Sequence, residues 1–243
     1  MTLASLREGY RAAVFGGSGG LGAAFAAALA ADPRCAGVYA GARRALPGGG
    51  KVTPFRFDLT DAASIAAAAA AMDGPLDLVV VATGLLHDGP LQPEKTWKAL
   101  DSDALARAFA VNATGPALIA RHMLGRLNPA GKAVFAALSA RVGSIGDNRL
   151  GGWHAYRASK AALNMLIRTF AIELARTHTG AVCVALHPGT VDTPLSKPFQ
   201  GRAGAAQLFT PADSAQRLLA VIDDLTPARS GTLVAWDGAT VPF

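Results

Sequence analysis

The chain has 243 residues, of which 51% are hydrophobic and 16% charged, against roughly 25% charged in an ordinary soluble domain. That balance excludes a disordered or solvating polypeptide, which needs the opposite bias. The net charge of +6 (23 Lys and Arg against 17 Asp and Glu) is spread along the chain, and the longest basic cluster is Arg43-Arg44, too short for a nucleic-acid stripe.

In chain order, residues 1–15 contain no apolar core of signal-peptide length. The apolar stretch 62–72 is far shorter than the roughly 20 residues that cross a bilayer, so a cytoplasmic protein with no membrane partner is expected. Continuous apolar runs at 12–15, 37–41, 52–58, 77–82, 132–138, 181–187 and 232–236 alternate with helical stretches at 21–31, 62–72, 102–127, 156–177 and 212–225. Runs without polar alternation suit strands covered on both faces. The last helix opens at Thr210-Pro211, a capping hydroxyl followed by proline. Loops are expected at 47–50, 87–94 and 196–204. The alternation predicts an α/β Rossmann-type fold: one domain over 1–243, with a doubly wound parallel sheet of about seven strands and helices on both faces. Its ligand should sit at the carboxyl ends of the strands. Cys35 and Cys183 stand alone in apolar segments and read as buried, inert thiols.

Between the first strand and the first helix runs Gly16-Gly17-Ser18-Gly19-Gly20-Leu21-Gly22. Glycines there let the backbone approach a pyrophosphate at a helix N-terminus, where free N–H groups and the helix dipole favour negative charge. The run satisfies both Gly17-x-Gly19-x-x-Gly22 and Gly16-x-x-x-Gly20-x-Gly22. A carboxylate about 20 residues later would grip the ribose 2′-hydroxyl. Instead the second strand ends Gly41-Ala42-Arg43-Arg44, and a guanidinium can fork onto a 2′-phosphate. NADP is therefore expected over NAD, unless Arg43 and Arg44 are plain solvated loop residues.

Tyr156 and Lys160, at i and i+4, share one helix face. A neighbouring ammonium is expected to lower the phenol's pKa from near 10 toward the working range of an acid/base group. His87, His154 and His187 have no metal-ligand spacing, so no metal is expected.

The glycine loop, Asp58 closing strand three, Asn112 within Phe109-Ala110-Val111-Asn112-Ala113-Thr114-Gly115, Ser139 closing strand five, Tyr156-x-x-x-Lys160 and His187-Pro188-Gly189 occur in this order. Together they resemble the short-chain dehydrogenases/reductases, in their single-domain branch, from about residue 11 to the end. Gly84-Leu85-Leu86-His87-Asp88-Gly89, with residues 141–145 and 151–157, is most similar to the carbonyl reductases of the sniffer and C-signal group.

The resemblance implies an NADP(H)-dependent oxidoreductase acting on a carbonyl compound or secondary alcohol. In it, Tyr156 would be the acid/base, Lys160 would hold the nicotinamide ribose and tune the tyrosine, and Asn112 would support a proton relay. Ser18 and Arg43 would meet the 2′-phosphate; Asp58 and Leu59 the adenine; Gly84 the adjoining ribose. Pro188, Gly189, Val191 and Thr193 would close over the nicotinamide. A homodimer or homotetramer is also implied.

Three positions depart from the family. Phe15 replaces a threonine, and Val81-Ala82-Thr83-Gly84 replaces Asn-Asn-Ala-Gly. Ser139-Ala140-Arg141-Val142-Gly143 puts alanine where the substrate-orienting serine belongs. Ser139 is taken as the substitute, with Ser144 the alternative and neither as the remaining outcome. A dinucleotide-binding sensor or signalling protein with little turnover is the second functional reading.

Overall fold

A computed structural model describes residues 2–89, 91–202 and 208–243. Pro90, from the expected loop 87–94, and the last two residues of the expected loop 196–204 lie outside the described residues.

All seven apolar runs form strands: β1 (Tyr10–Phe15), β2 (Cys35–Ala42), β3 (Val52–Arg56), β4 (Leu78–Val81), β5 (Ala133–Leu138), β6 (Ala181–His187) and β9 (Leu233–Ala235). They pair in parallel in the order β3-β2-β1-β4-β5-β6-β9, and the short β10 (Thr240–Val241) adds an antiparallel eighth strand beyond β9. The central strands are apolar at every position because both sheet faces are covered; Leu-Val-Val-Val of β4 is wholly buried. β3 is the exposed edge, where Pro54 removes no ladder bond that the fold needs. A separate parallel pair joins β7 (Thr190–Val191) to β8 (Leu208–Phe209).

One apolar layer packs α1 (Gly20–Ala31) and α6 (Pro211–Asp224) against the sheet; the other packs α2 (Ala62–Ala70), α4 (Gly115–Met123) and α5 (His154–Leu174). Helix starts follow the expected chemistry. Thr210 Oγ1 accepts from Asp213 N at 3.1 Å with Pro211 in the first turn of α6. Asp61 caps α2 through the amides of Ala63 and Ser64. The strand order reverses between β1 and β4, which opens a crevice at their carboxyl ends.

The expected single helix over 102–127 is interrupted. α3 (Ser102–Phe109) passes through a π-helical turn, Ala110–Thr114, into α4. Widened turns of this kind re-aim a side chain within a helix. Here the turn holds Asn112, fully buried, against the loop that follows β4.

Candidate active site

Three adjoining cavities form one trough along the carboxyl edge of the sheet. The first, about 520 Å³, is lined by Gly16, Ser18, Arg43, Asp58, Leu59 and Gly84 among others. Its floor is the glycine loop. Gly16 has φ +99°, and a Cβ there would lie 2.9 Å from Ala82 O. A Cβ on Gly22 would lie 2.1 Å from Gly16 O, so the turn closes only with glycine. Gly19, just before α1, supplies no capping side chain, which leaves amides of the first turn free for an anion. Arg43 is exposed at the far end. Asp58 accepts from Thr60 N at 2.9 Å and Thr60 Oγ1 at 2.7 Å, and those bonds hold its carboxyl below the usual range. Thr83 Oγ1 is buried here without a partner. A backbone cradle, a positive helix end and a guanidinium in line fit a dinucleotide.

The second cavity, about 310 Å³, shares Ser18, Thr83 and Gly84 with the first and adds Gly20, Leu21, Ser139, Tyr156, Lys160, Pro188 and Thr193. Lys160 is 2% exposed. Its Nζ donates to Leu138 O at 2.8 Å and stands 5.9 Å from the centroid of the Tyr156 ring. An added Cβ on Gly84 would sit 3.6 Å from that Nζ and 3.8 Å from Asn112 Oδ1, so Gly84, Lys160 and Asn112 converge. Asn112 is clamped at both ends: Oδ1 accepts from Leu85 N at 2.8 Å, and Nδ2 donates to Leu85 O at 2.8 Å and Ser159 Oγ at 3.1 Å.

Electrostatics correct one expectation. Burial, with no carboxylate beside it, pushes Lys160 down to about 7, and burial pushes Tyr156 up to about 12. The pair is adjacent as expected, but the ammonium does not lower the phenol's pKa in the ligand-free protein. Desolvation acts on both groups and disfavours both charged forms.

The serines separate clearly. Ser139 and Ala140 both line the third cavity. Ser139 Oγ donates to Asn164 Oδ1 at 2.7 Å, so its proton is already engaged. Ser144 is buried, its oxygen accepts from Asp147 N at 3.0 Å, and it lines none of the three cavities.

That third cavity, about 210 Å³, continues past Tyr156 and takes in Pro188, Gly189, Val191 and Thr193. His187, Val142 and Phe199 also stand in its wall; the sequence offered the first two only as members of motifs and Phe199 only within the expected loop 196–204. His154 is not among its lining residues. Cys35 and Cys183 are buried, and burial raises both thiols. Among the described residues no cluster of His, Cys, Asp or Glu could hold a metal, and no helix is long and apolar enough to cross a membrane.

A family model described as short chain dehydrogenase matches residues 11–203. C-signal of Myxococcus xanthus is 36% identical over 173 residues, covering 70% of this chain and 94% of that protein. The cis-4-hydroxycyclohexanecarboxylate dehydrogenase of Sinomonas cyclohexanicum is 31% identical over 247 residues, covering 93% and 94%. The structure of an NADPH-bound carbonyl reductase from chicken fatty liver superimposes with a TM-score of 0.82 at 25% identity, covering 98% of this chain and 96% of that one. With the glycine cradle, the Tyr156/Lys160 face and the doubly wound sheet, these likenesses make the protein a nucleotide-dependent oxidoreductase. The chain belongs to the short-chain dehydrogenase/reductase family.

His187 offers a test of site burial. Its Nδ1 is buried without a partner, and burial, then the charge of Arg141, push its pKa from 6.5 to about 4 against an opposing pull from Asp237. The unfolded chain therefore binds the extra proton across that window. The contribution is present above pH 6.5 and is lost as pH falls through about 4. In urea denaturation between those pH values, His187→Asn is expected to lose stability less steeply with acid than the wild type; equal slopes would contradict the burial.

Proposed function

We propose that the protein is an NADP(H)-dependent reductase of aldehydes or ketones, or dehydrogenase of the matching secondary alcohols. The observation that carries this reading is the convergence of Tyr156, Lys160, Gly84 and Asn112 at the middle of one trough whose far end is Arg43. The NADPH-bound carbonyl reductase with the same fold supports it.

When bound, NADPH supplies the hydride that reduces the carbonyl carbon. Ser18 and Arg43 would hold the 2′-phosphate, Asp58 and Leu59 border the adenine, and Gly84 and Lys160 take the riboses. Pro188, Gly189, Val191 and Thr193 would close the nicotinamide end. Tyr156, protonated at neutral pH because burial holds its pKa near 12, donates its phenolic proton to the carbonyl oxygen as negative charge builds there. Lys160 then stabilises the resulting phenolate; ligand phosphates and ribose hydroxyls favour its charged form, which burial alone disfavours. Asn112 keeps the Leu85 backbone and Ser159 in register below the relay. Ser139 reaches the oxyanion only by turning its hydroxyl from Asn164.

In a spectrophotometric assay of NADPH oxidation over a carbonyl panel, Tyr156→Phe is expected to lose at least about 10² in rate, within the usual span for acid/base groups. Equal rates would overturn the reading. With the same substrates, Arg43→Ala is expected to weaken NADPH by about tenfold or more while leaving NADH nearly unchanged.

A second reading, a dinucleotide sensor, is favoured by Ala140 and by the engaged hydroxyl of Ser139. Micromolar NADPH binding by calorimetry without turnover on that panel would select it.

We also infer a homodimer or homotetramer. Met165 (67% exposed) and Ile172 (50%) lie two turns apart on the outer face of α5, two exposed apolar side chains that a second copy would cover. Light scattering at micromolar concentration should show at least twice the monomer mass; a monomer would contradict this.

A further inference from the structure

The cavity beyond Tyr156 has two aromatic rings, Trp153 and Phe199, in its wall. Trp153 and Phe199 meet edge to face, with centroids 5.1 Å apart. Trp153 also reaches Tyr156 at 6.3 Å, and Phe199 reaches His87 at 5.6 Å. His87 Nε2 lies 3.1 Å from Pro194 O, which ties the loop after β4 to the segment carrying Phe199. The walls between are Leu86, Val142 and Leu195. The one guanidinium at the lining, Arg141, is paired with Asp147 at 2.5 Å.

Trp153 stands on a left-handed backbone, φ 54° and ψ 42°, the only non-glycine with positive φ among the described residues. A bulky side chain keeps that conformation only where its surroundings over-determine it. Here Gly151 and Gly152 lead in at φ +61° and +65°. The Trp153 amide donates to Glu94 O at 2.5 Å, and its carbonyl accepts from Arg157 N at 2.8 Å. Trp153 supplies no capping side chain to α5. The buried Glu94 does so instead, its Oε2 accepting from Ala155 N at 3.2 Å. Glu94 thus holds the strained residue through its backbone carbonyl and, through its carboxylate, the helix start that carries Tyr156.

We propose that Trp153 is a specificity-determining residue, positioned by Glu94, and that with Phe199 it restricts the site to compact, apolar carbonyl compounds of about one ring. The inference rests on the reductase reading above. At about 210 Å³ the cavity is smaller than the roughly 300–1,000 Å³ of sites for larger ligands. Trp153 and Phe199 both line it, and a second ring directed toward them would have to displace their contact.

The test compares NADPH oxidation with cyclohexanone and with 4-cyclohexylcyclohexanone. The wild type is expected to favour the one-ring ketone in kcat/KM by about tenfold or more, and Trp153→Ala to erase most of that ratio by gaining on the two-ring ketone. Phe199→Ala, on the opposite wall, should shift the ratio the same way and covers the case in which Trp153→Ala fails to fold. Glu94→Ala should follow Trp153→Ala, whereas Glu94→Gln, which keeps an acceptor for the Ala155 amide, should restore the wild-type ratio. Cyclohexanone should quench intrinsic fluorescence saturably in the wild type, and Trp153→Phe should lose most of that response. Tyr156-dependent turnover with one unchanged ratio in the wild type, Trp153→Ala and Phe199→Ala would overturn this inference alone. Absence of turnover on every carbonyl compound would overturn the reductase reading and this inference together.

Discussion

A buried ammonium held by a single backbone carbonyl sets the terms for the whole site. Lys160 enters the protein at 2% exposure, bonded to Leu138 O at the carboxyl end of β5. Among the described residues no carboxylate pairs with it. Taking such a group out of water costs several kcal/mol unless it sheds its proton or gains a negative partner. In the free protein burial pushes Lys160 down to about 7, so that it is only partly charged at neutral pH. The trough beside it, open to an anionic dinucleotide, offers the second. Fold and chemistry meet at that point: the parallel sheet brings the β5 carbonyl, Gly84 after β4 and the start of α5 to one edge, and the charge state of the edge depends on what binds there.

The same edge shows where local strain is concentrated. The glycine loop takes backbone conformations that side chains would forbid, as the close approach of Gly22 to Gly16 O requires. Trp153 takes a left-handed conformation with a bulky side chain, at a cost on the order of 1–3 kcal/mol. By contrast, α2, α3 and α6 start on side-chain caps, and β4 is fully buried.

Much of the fold was legible in the sequence because parallel strands covered on both faces must be continuous apolar runs, and Leu78–Val81 is the clearest case. Thr210-Pro211 announced α6 for an equally local reason. β10 and the β7/β8 pair escaped, since two-residue strands carry no period. The π-helical turn at Ala110–Thr114 escaped too, because the stretch reads as unbroken helix while the bonds of its Asn112 to Leu85 are made across the fold. At the site, motif spacing brought Tyr156, Lys160, Asn112 and the glycine loop together on the page and in space. The direction of the Tyr156 shift was not legible, because desolvation is a property of the packed protein. Glu94 was invisible for the same reason: its partners, Trp153 and Ala155, lie about sixty residues away.

The most direct test of this account is the titration of Lys160 in the ligand-free protein, followed by NMR of the carbon next to its amine. A pKa near 7 is predicted, moving upward when NADPH is added. An ordinary value near 10.5 in the free protein would show that the ammonium is solvated or paired, and would contradict the arrangement on which the site depends.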